Sequence, residues 1–413
     1  MIVMIRSERI QETLKKMAEF GVDPEGATTR LSYSKEFLAA QEHLRQEMLS
    51  LGMEVVIEPI GNLVATYKGS DAKLTPVMSG SHLDTVPRGG NFDGILGVTA
   101  ALEVARSWHE EGYVPKRSLQ VIATIEEEGT YFGMGCMGAA VRCGEFINRL
   151  PQEIPSTGRE GTLADCLTEA GLPLDALQTT PKAQKPAAFV ELHIEQGAEL
   201  DEQGLPAGIV TSIVGFDRLM LVLKGESNHA GTTAMHRRKD AMAAGAAIAL
   251  GVQELARKDR RFVATVGSFN VEPNVPNIVP GRVKLCVETR SYSDEILQEV
   301  RQMVLKVVEA AVADNNVEYE IEGDYHNFAM PMDEKIINTM VDSAAELELN
   351  AVKMPSWAGH DSQIFAKAGV PTGMIFVPSI NGVSHAKEEL SRPEEIFRGV
   401  ELLERVLRKL TEK

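Results

Sequence analysis

The sequence predicts a two-domain α/β protein in which a smaller α+β domain interrupts a larger α/β domain. The chain has 413 residues, more than a single hydrophobic core usually accommodates. Strand-like and helical segments alternate over the first part of the chain and again near its end, whereas the middle follows a strand-helix-strand-strand-helix-strand order. We therefore expect a larger domain of residues 1–212 and 331–413, and an inserted domain of residues 213–330.

The larger domain is predicted from short apolar runs that flank a helix. Residues 34–51 carry apolar side chains at helical spacing, and residues 54–69 are typical of a strand. Residues 75–85 and 118–129 contain apolar runs bounded by polar residues or glycine, as buried parallel strands usually are. Residues 97–109 between them predict a helix. This β-α-β order indicates a doubly wound sheet with helices on both faces.

The inserted domain is predicted from four strands and two helices in the split β-α-β arrangement of a ferredoxin-like fold. These are strands at residues 218–225, 262–273, 281–291 and 317–323, and helices at residues 240–256 and 294–315. After residue 331 the α/β pattern returns, with a buried-type strand at residues 371–379 and a final helix from residue 392.

Composition excludes several classes of protein. The formal net charge is −17, so an acidic surface would repel nucleic acid and anionic membranes. The first five residues are apolar but charged residues follow from Arg6, which is unlike a secretory signal. No window approaches the roughly 20 apolar residues of a membrane span. The four cysteines form no CxxC pair, which argues against a thiolate zinc site or a disulfide framework. We expect a cytoplasmic protein.

A first cluster of chemically capable residues follows the predicted strand at residues 75–85. His82 lies where the chain leaves the sheet, Asp84 is two residues further on, and Asp93 lies in a Gly-rich loop. In open α/β sheets, functional residues collect beyond the carboxyl ends of strands. A histidine there can bind a metal through one ring nitrogen while a nearby carboxylate holds the other N–H. The alternative is a turn rich in Asp and Gly with an incidental histidine.

Three further clusters follow predicted strands. Glu126, Glu127 and Glu128 come directly after an apolar run, and they suit either a metal ligand with a neighbouring general base or a solvated acidic turn. His193 lies in an extended apolar-polar alternation, with Glu195 as a candidate orienter of its ring; a core histidine is the alternative. His385 follows the strand at residues 371–379 in a polar loop, where the segment alone favours a surface histidine over a metal ligand.

Taken together, these clusters indicate a metal centre. Three histidines and several carboxylates would meet at one end of the same sheet. Imidazole and carboxylate ligands without thiolate suit Zn²⁺, Mn²⁺, Co²⁺ or Ni²⁺ better than Ca²⁺ or a sulfur cluster. Two such ions that share a bridging carboxylate would lie roughly 3.5–4 Å apart and activate one water.

The inserted domain carries a different set of candidates. His229 lies in the segment SNHAGTT before a predicted helix; helix capping would account for the threonines but not for the histidine. Asn277 lies in a turn between prolines, and Arg290 ends a predicted strand. A strand-end arginine is usually solvated, but its fork also suits a substrate carboxylate.

The motifs GSHLDTV, NFDG, EEEG, ELHIEQG, SNHAGTT, AGHDSQ and NGVSH occur in this order over nearly the whole chain. In these motifs the sequence resembles the carbamoylase branch of the di-metal aminoacylase/carboxypeptidase clan, which includes N-carbamoyl-L-amino-acid hydrolases, allantoate amidohydrolases and β-ureidopropionases. The resemblance implies a di-metal exopeptidase-like catalytic domain with an inserted ferredoxin-like domain that acts as lid and dimerisation domain. It also implies two divalent ions per subunit, a small ureido-carboxylate substrate and a homodimer.

The resemblance also implies a role for each matching residue. One ion would be held by His82 and His193 and the other by Glu128 and His385, with Asp93 bridging them. Glu127 would be the general base, and Asp84 would match the family's carboxylate that orients a metal ligand. Substrate would be bound by Gln196, His229, Asn277, Arg290 and Gly359, and His229 would also act in catalysis, in its own or in the neighbouring subunit's site.

Some positions depart from the family pattern. Allantoate enzymes tend to have a Gln-Arg-Arg run after the glycine that opens the lid, whereas Phe216, Asp217 and Arg218 follow Gly215 here. Trp357 adds bulk to the segment before AGHDSQ. SNHAGTT and the segment around NGVSH favour the allantoate group instead. The sequence thus favours hydrolysis of N-carbamoyl-L-amino acids, with allantoate as the alternative substrate; a peptidase or N-acyl aminoacylase of the same clan and a non-catalytic binding homologue are more remote.

Overall fold

The computed structural model describes residues 5–145, 149–157, 160–179 and 185–413, so the first four of the apolar residues at the N-terminus lie outside the described part. The chain divides into two compact units. The larger unit comprises Met1–Thr211, Met332–Met354 and Ala358–Lys413, and the inserted unit comprises Ser212–Pro331 and Pro355–Trp357. Within the described residues, no helix combines the length and the apolar character that a membrane crossing requires.

The described part contains the following strands and helices. The strands are β1 (Glu54–Ile57), β2 (Leu63–Tyr67), β3 (Val77–His82), β4 (Leu119–Thr124), β5 (Ala188–Ile194), β6 (Ala207–Ile213), β7 (Gly215–Lys224), β8 (Asn228–His229), β9 (Phe262–Glu272), β10 (Ile278–Val279), β11 (Arg282–Ser291), β12 (Glu318–Asn327), β13 (Met330–Pro331), β14 (Ala351–Ser356) and β15 (Thr372–Val377). The helices are α1 (Ser7–Ala18), α2 (Lys35–Ser50), α3 (Ile95–Glu111), α4 (Met137–Cys143), α5 (Leu163–Glu169), α6 (Ala176–Thr179), α7 (Glu199–Gln203), α8 (Ala241–Lys258), α9 (Asp294–Asp314), α10 (Glu334–Glu346), α11 (Asp361–Lys367) and α12 (Pro393–Glu412).

The sheet of the larger unit is parallel at its centre and antiparallel at its edges. Among the described residues its strand order is β1-β2-β4-β3-β5-β15-β6-β13, and β14 also pairs with β6. β3 runs parallel to β4 and β5, and β5 runs parallel to β15, whereas β2 and β6 join the sheet antiparallel. Helices α3 and α12 pack on one face, and α4 and α11 pack on the other, where Phe365 contacts Phe189 of β5. The predicted α/β sheet with helices on both faces is therefore confirmed.

The prediction of one strand over residues 54–69 is wrong, because this segment folds into the antiparallel hairpin β1–β2. The chain reverses at Gly61, whose φ of 106° suits glycine. The buried side chain of Asn62 stabilises the reversal: it accepts a hydrogen bond from the main-chain N–H of Ile125 (3.2 Å) and donates to the carbonyl of Gly138 (3.0 Å). The hairpin is thereby connected to the chain that follows β4.

The inserted unit has the predicted ferredoxin-like arrangement. Its four-stranded antiparallel sheet has the order β12-β7-β11-β9, and α8 and α9 cover one face. The cap of α8 is Asp240 and not the threonines of SNHAGTT. The Asp240 side chain accepts hydrogen bonds from the main-chain N–H groups of Met242 and Ala243. A two-stranded ribbon of β8 and β10 is added beyond the sheet. At the start and end of the insertion, Ser212 and Ile213 pair with β13.

Candidate metal centre

The parallel strands of the larger unit end at one edge of the sheet, where the predicted ligands meet. His82 is the last residue of β3, the three glutamates follow β4, and His193 is the penultimate residue of β5. His385 lies in the loop after β15. The alternation predicted around His193 is wrong, because β5 is buried along its whole length between β3 and β15. A strand in the centre of a covered parallel sheet has no solvent face.

Asp93 lies between two groups of candidate ligands. Its Oδ1 is 3.4 Å from Nε2 of His82 and 3.1 Å from Nε2 of His193. Its Oδ2 is 3.2 Å from Nε2 of His385, which is in turn 3.5 Å from Oε2 of Glu128. The ligand atoms within each group lie no more than 4.8 Å from one another. One carboxylate therefore presents one oxygen to each of two metal-binding constellations.

The ring orientations of two histidines direct Nε2 toward Asp93, although Nε2 of His193 also accepts from the main-chain N–H of Gly94 at 3.3 Å. Nδ1 of His82 lies 2.9 Å from the main-chain oxygen of Asp84, and Nδ1 of His193 lies 2.8 Å from that of Ile194. A neutral imidazole that donates from Nδ1 to a carbonyl carries its lone pair on Nε2. In both rings Nε2 is the atom that faces Asp93, so the protein pre-orients two imidazole lone pairs toward one point.

The carboxylates expected to orient these rings have other partners. The Asp84 carboxylate is 3.9 Å from Nδ1 of His82, and it accepts hydrogen bonds from the main-chain N–H groups of Glu127 (3.2 Å) and Glu128 (3.3 Å). The Glu195 carboxylate accepts from two main-chain N–H groups at the start of α7, both at 2.9 Å. Main-chain carbonyls thus orient the rings, and Asp84 instead fixes the segment of the two glutamates.

The three consecutive glutamates point in different directions. Glu126 folds back, and its Oε1 accepts from two main-chain N–H groups of the following loop at 2.8 and 2.7 Å. Oε2 of Glu127 lies 3.8 Å from Nε2 of His82, whereas Glu128 faces His385. Glu127 and Glu128 therefore turn toward the histidines, and Glu126 has a structural partner instead.

The electrostatics of the cluster indicate a deficit of positive charge. Burial raises the pKa of Glu127 well above its usual value, and the nearby charges of Glu128 and Asp361 add to this. Burial and the charge of Asp93 raise the pKa of Glu128 to about 7. The hydrogen bond with Asp93 raises the pKa of His385 to about 9. A buried cluster in which carboxyl groups hold protons near neutrality is one that bound cations would relieve.

The residues present fit divalent metal ions. Oδ1 of Asp93 and Oε1 of Glu128 are buried and have no hydrogen-bond partner in the described part of the chain, which is costly unless a ligand satisfies them. The two constellations offer only imidazole and carboxylate, the donor set of Zn²⁺, Mn²⁺, Co²⁺ and Ni²⁺. The main chain of the loop that carries Asp93 also lies close to His82, since a Cβ at Gly94 would lie 2.4 Å from the His82 ring.

Two predicted substrate-binding residues lie in the larger unit. Gln196 donates from Nε2 to Oδ2 of Asp93 at 2.8 Å and lies 3.4 Å from Nε2 of His385. It therefore contacts the carboxylate that the two ligand groups share. Gly359 precedes His360, and a Cβ at Gly359 would meet only the side chain of Gln363, at 3.7 Å. A substrate group has room to approach the main chain there.

Three residues of this site were not predicted from the sequence. His360 is buried, and its ring centroid lies 4.6 Å from that of His193. Glu389 accepts from the main-chain N–H of Asp93 at 3.0 Å, and Cys136 contacts Glu127. His360 stands in the motif AGHDSQ, which was a signal, whereas no pattern around Glu389 or Cys136 distinguishes them from loop residues.

In the inserted unit, His229 and Asn277 lie together and Arg290 lies elsewhere. His229 pairs with the residue after Asn277 across the β8–β10 ribbon, and the N–H of Ala230 donates to the carbonyl of Asn277 at 2.9 Å. Arg290 is near the other end of β11, where it donates to Glu288 at 2.8 Å and to the carbonyl of Trp357 at 3.5 Å. The structure thus brings two of the three predicted residues together and separates the third.

Comparisons with known proteins identify the family of this chain. The profile of Peptidase family M20/M25/M40 matches residues 78–409. The chain is 36% identical to an allantoate amidohydrolase of Escherichia coli (strain K12), over 98% of both chains, and 36% identical to an N-carbamoyl-L-amino acid amidohydrolase of Geobacillus stearothermophilus, over 97% of both. A hydantoinase/carbamoylase family amidase of Burkholderia multivorans has a similar structure, with a TM-score of 0.91 at 28% identity, over 100% of this chain and 99% of that one. The chain therefore belongs to the peptidase family M20/M25/M40.

Proposed function

We propose that this protein is a two-metal amidohydrolase that cleaves the ureido C–N bond of N-carbamoyl-L-amino acids, giving the amino acid, CO₂ and ammonia. The observation that carries this proposal is the placement of Asp93, which offers one carboxylate oxygen to each of two ligand groups. A shared carboxylate of this kind is what a pair of ions around one activated water requires. The names of the relatives direct the choice toward ureido substrates.

The two ions would be Mn²⁺, Zn²⁺, Co²⁺ or Ni²⁺. His82 and His193 would hold one ion with Oδ1 of Asp93, and Glu128 and His385 would hold the other with Oδ2. When bound, such ions supply Lewis acidity to the reacting carbonyl and acidify a water between them. The main-chain carbonyls that hold the two buried rings keep the imidazole lone pairs directed at the first site.

The chain's own residues would carry the protons and the substrate. Glu127 would take a proton from the attacking water and return it to the leaving nitrogen, while Asp84 fixes the main chain of Glu127. His229 would stabilise the charge that develops on the carbonyl oxygen, as preorganised donors do. Arg290 would bind the substrate carboxylate with its guanidinium fork. The carbamate released then decomposes to CO₂ and ammonia.

The surroundings of Arg290 bear on the substrate. Phe216 lies opposite Arg290 across the β7–β11 pair, and Trp357 contributes the carbonyl that Arg290 contacts. These neighbours suit the apolar side chain of an amino acid. Arg218 and Glu288 form the next pair on the same face of β7 and β11, two positions from Phe216 and Arg290. This pair of charged side chains would instead suit the second ureido group of allantoate. The 36% identity to an allantoate amidohydrolase supports this second candidate function.

Ammonia release decides between these substrates. With Mn²⁺ present, we expect N-carbamoyl-L-amino acids with apolar side chains to be hydrolysed with the highest kcat/KM. Allantoate as the best substrate would establish the second candidate. N-acetyl-L-amino acids and dipeptides, assayed by release of the amino acid, test for an aminoacylase or peptidase. Absence of turnover on every substrate and metal would leave a non-catalytic binding protein and refute the proposal.

Replacing Arg290 with alanine should raise KM strongly while leaving kcat less affected. A hydrogen-bonded ion pair to a substrate carboxylate contributes about 1.5–3 kcal/mol, so KM should rise by about one to two orders of magnitude. Arg301→Ala is a matched control, since Arg301 on α9 pairs with Asp324 and has no proposed role in the site. An unchanged KM for Arg290→Ala would remove this residue from substrate binding.

We further propose that the protein is a homodimer in which His229 and Asn277 serve the partner's site. The eight residue steps from Arg282 to Arg290 along β11 span roughly 27 Å, and the β8–β10 ribbon lies beyond the Arg282 end. A carbamoyl amino acid is far shorter, so one copy of the inserted unit does not reach it with both His229 and Arg290. Edge strand β9, which pairs only with β11 among the described strands, and the exposed Leu250 of α8 suit a second copy of the chain.

A further inference from the structure

Cys136 contacts the residue that we propose as the general base. Its thiol Sγ lies 3.5 Å from Oε1 of Glu127, an ordinary length for a hydrogen bond in which a thiol donates. Its main-chain N–H also donates to the carbonyl oxygen of Glu127, at 2.9 Å. The same residue therefore holds Glu127 at its main chain and at its carboxylate.

The position of Cys136 relative to Glu127 is fixed by a short run of main-chain hydrogen bonds. The N–H of Met137 donates to the main-chain carbonyl of Glu126 at 3.0 Å, and the N–H of Gly138 donates to the main-chain carbonyl of Ile125 at 2.9 Å. Together with the bond from Cys136, they bind the start of α4 to the chain that follows β4. The thiol has little freedom to move away from the carboxylate.

The backbone of Cys136 is in the left-handed region, with φ of 56°. This conformation disfavours every residue with a Cβ, and glycine would adopt it without strain. The residue is also buried. A side chain at a buried, strained position next to a reactive group is a reason to look for a function of that side chain.

The two oxygens of Glu127 have different surroundings. Oε1 faces the thiol of Cys136, whereas Oε2 lies on the side of the candidate ligands, 3.8 Å from Nε2 of His82. A carboxylate rotates about its last bond unless one oxygen is held, because that torsion is broad. We infer that Cys136 is a positioning residue: its thiol holds Oε1, so that Oε2 is the oxygen that exchanges a proton with the water. This inference rests on the proposed role of Glu127 as general base.

Removing the thiol should therefore slow turnover without weakening binding. A single hydrogen bond of this kind corresponds to a fall in kcat of about three- to tenfold for Cys136→Ala. KM and the number of bound Mn²⁺ ions, measured by calorimetric titration, should not change. Cys136→Ser should retain most of the activity because a hydroxyl also donates. Cys136→Gly is a second donor-free variant that the left-handed backbone accommodates, and it should be as slow as Cys136→Ala.

Two comparisons separate positioning from a general effect on packing. Cys166→Ala removes another buried thiol, in α5 of the same unit, and should leave kcat unchanged. If it slows turnover as much as Cys136→Ala does, the inference is overturned. It is also overturned if Cys136→Ser is as slow as Cys136→Ala, or if Cys136→Ala loses a bound ion.

A double variant distinguishes this inference from the proposed function itself. In a Glu127→Gln background, Cys136→Ala should cause almost no further loss, since the thiol acts through the carboxylate that is already removed. Multiplicative losses would show that Cys136 acts independently of Glu127 and would overturn the inference. If Glu127→Gln alone remains active, the proposed general base is wrong, whatever the cysteine variants do.

Discussion

Glu127→Gln is expected to lower kcat by about 10²- to 10⁴-fold, the range in which a general base contributes. Glutamine retains the size of the side chain and an oxygen for the thiol of Cys136, but an amide does not accept the proton of the attacking water. The hydrogen bond from the main-chain N–H of Glu127 to the Asp84 carboxylate and the one from the N–H of Cys136 to the Glu127 carbonyl remain, so the loop should keep its conformation. Since none of the ligand groups includes Glu127, the variant should still bind two ions.

The measurement is kcat with Mn²⁺, together with metal content by mass spectrometry. Glu126→Gln is the matched control: it changes the adjacent residue in the same way, and its Oε1 can still accept from the two N–H groups that Glu126 contacts. We expect this control to remain within a few-fold of the unmodified protein. If Glu127→Gln binds both ions and retains nearly full activity, another group takes the proton and our mechanism is wrong.

The convergence of the candidate ligands could be predicted because it depends on topology. His82, Glu128 and His193 each follow or end a strand of the same parallel sheet, and the carboxyl ends of parallel strands lie at one edge. An apolar run followed by a histidine or carboxylate is visible in sequence. The positions of these side chains therefore follow from local patterns and one general property of parallel sheets.

The hydrogen-bond partners within the site could not be predicted in the same way. Asp84 and Glu195 each stand two residues after a histidine, and that spacing suggested a carboxylate–imidazole pair. In the structure Nδ1 of each ring instead lies close to a main-chain oxygen, that of Asp84 for His82 and that of Ile194 for His193. Such short contacts between a side chain and the neighbouring main chain leave no periodic signal in the sequence.

Contacts between distant segments were equally inaccessible. Glu389 joins the Asp93 loop across almost 300 residues of chain, because its carboxylate accepts hydrogen bonds from the main-chain N–H groups of Phe92 and Asp93. The hydroxyl of the nearby Ser384 donates to the other oxygen of the same carboxylate. Sequence position gives no measure of this proximity. The hairpin β1–β2, by contrast, had a local signal, since Pro59 and Gly61 stand in its turn, which is closed by a hydrogen bond from the N–H of Gly61 to the carbonyl of Glu58 at 2.8 Å.

A second large effect is expected when two inactive variants are combined in one dimer. His229→Ala should lose about 10²- to 10³-fold in kcat if His229 stabilises the oxyanion, and Glu127→Gln should be as slow or slower. A heterodimer with one subunit of each kind should nevertheless have about half the activity of the unmodified dimer. The subunit with His229→Ala keeps an intact Glu127 and receives His229 from its partner, so one of the two sites is complete.

The experiment uses two affinity tags, co-expression and tandem purification of the heterodimer, with its mass measured by light scattering. The reverse arrangement is the decisive control, with both substitutions in one subunit and an unmodified partner. If His229 acts in the partner's site, neither site of this second heterodimer is complete, and activity should fall to background. If His229 acts in its own subunit, the two outcomes exchange: the first heterodimer is inactive and the second is half-active. The β8–β10 ribbon that carries His229 lies beyond one end of β11, and Arg290 lies near the other end. We therefore expect the first pattern.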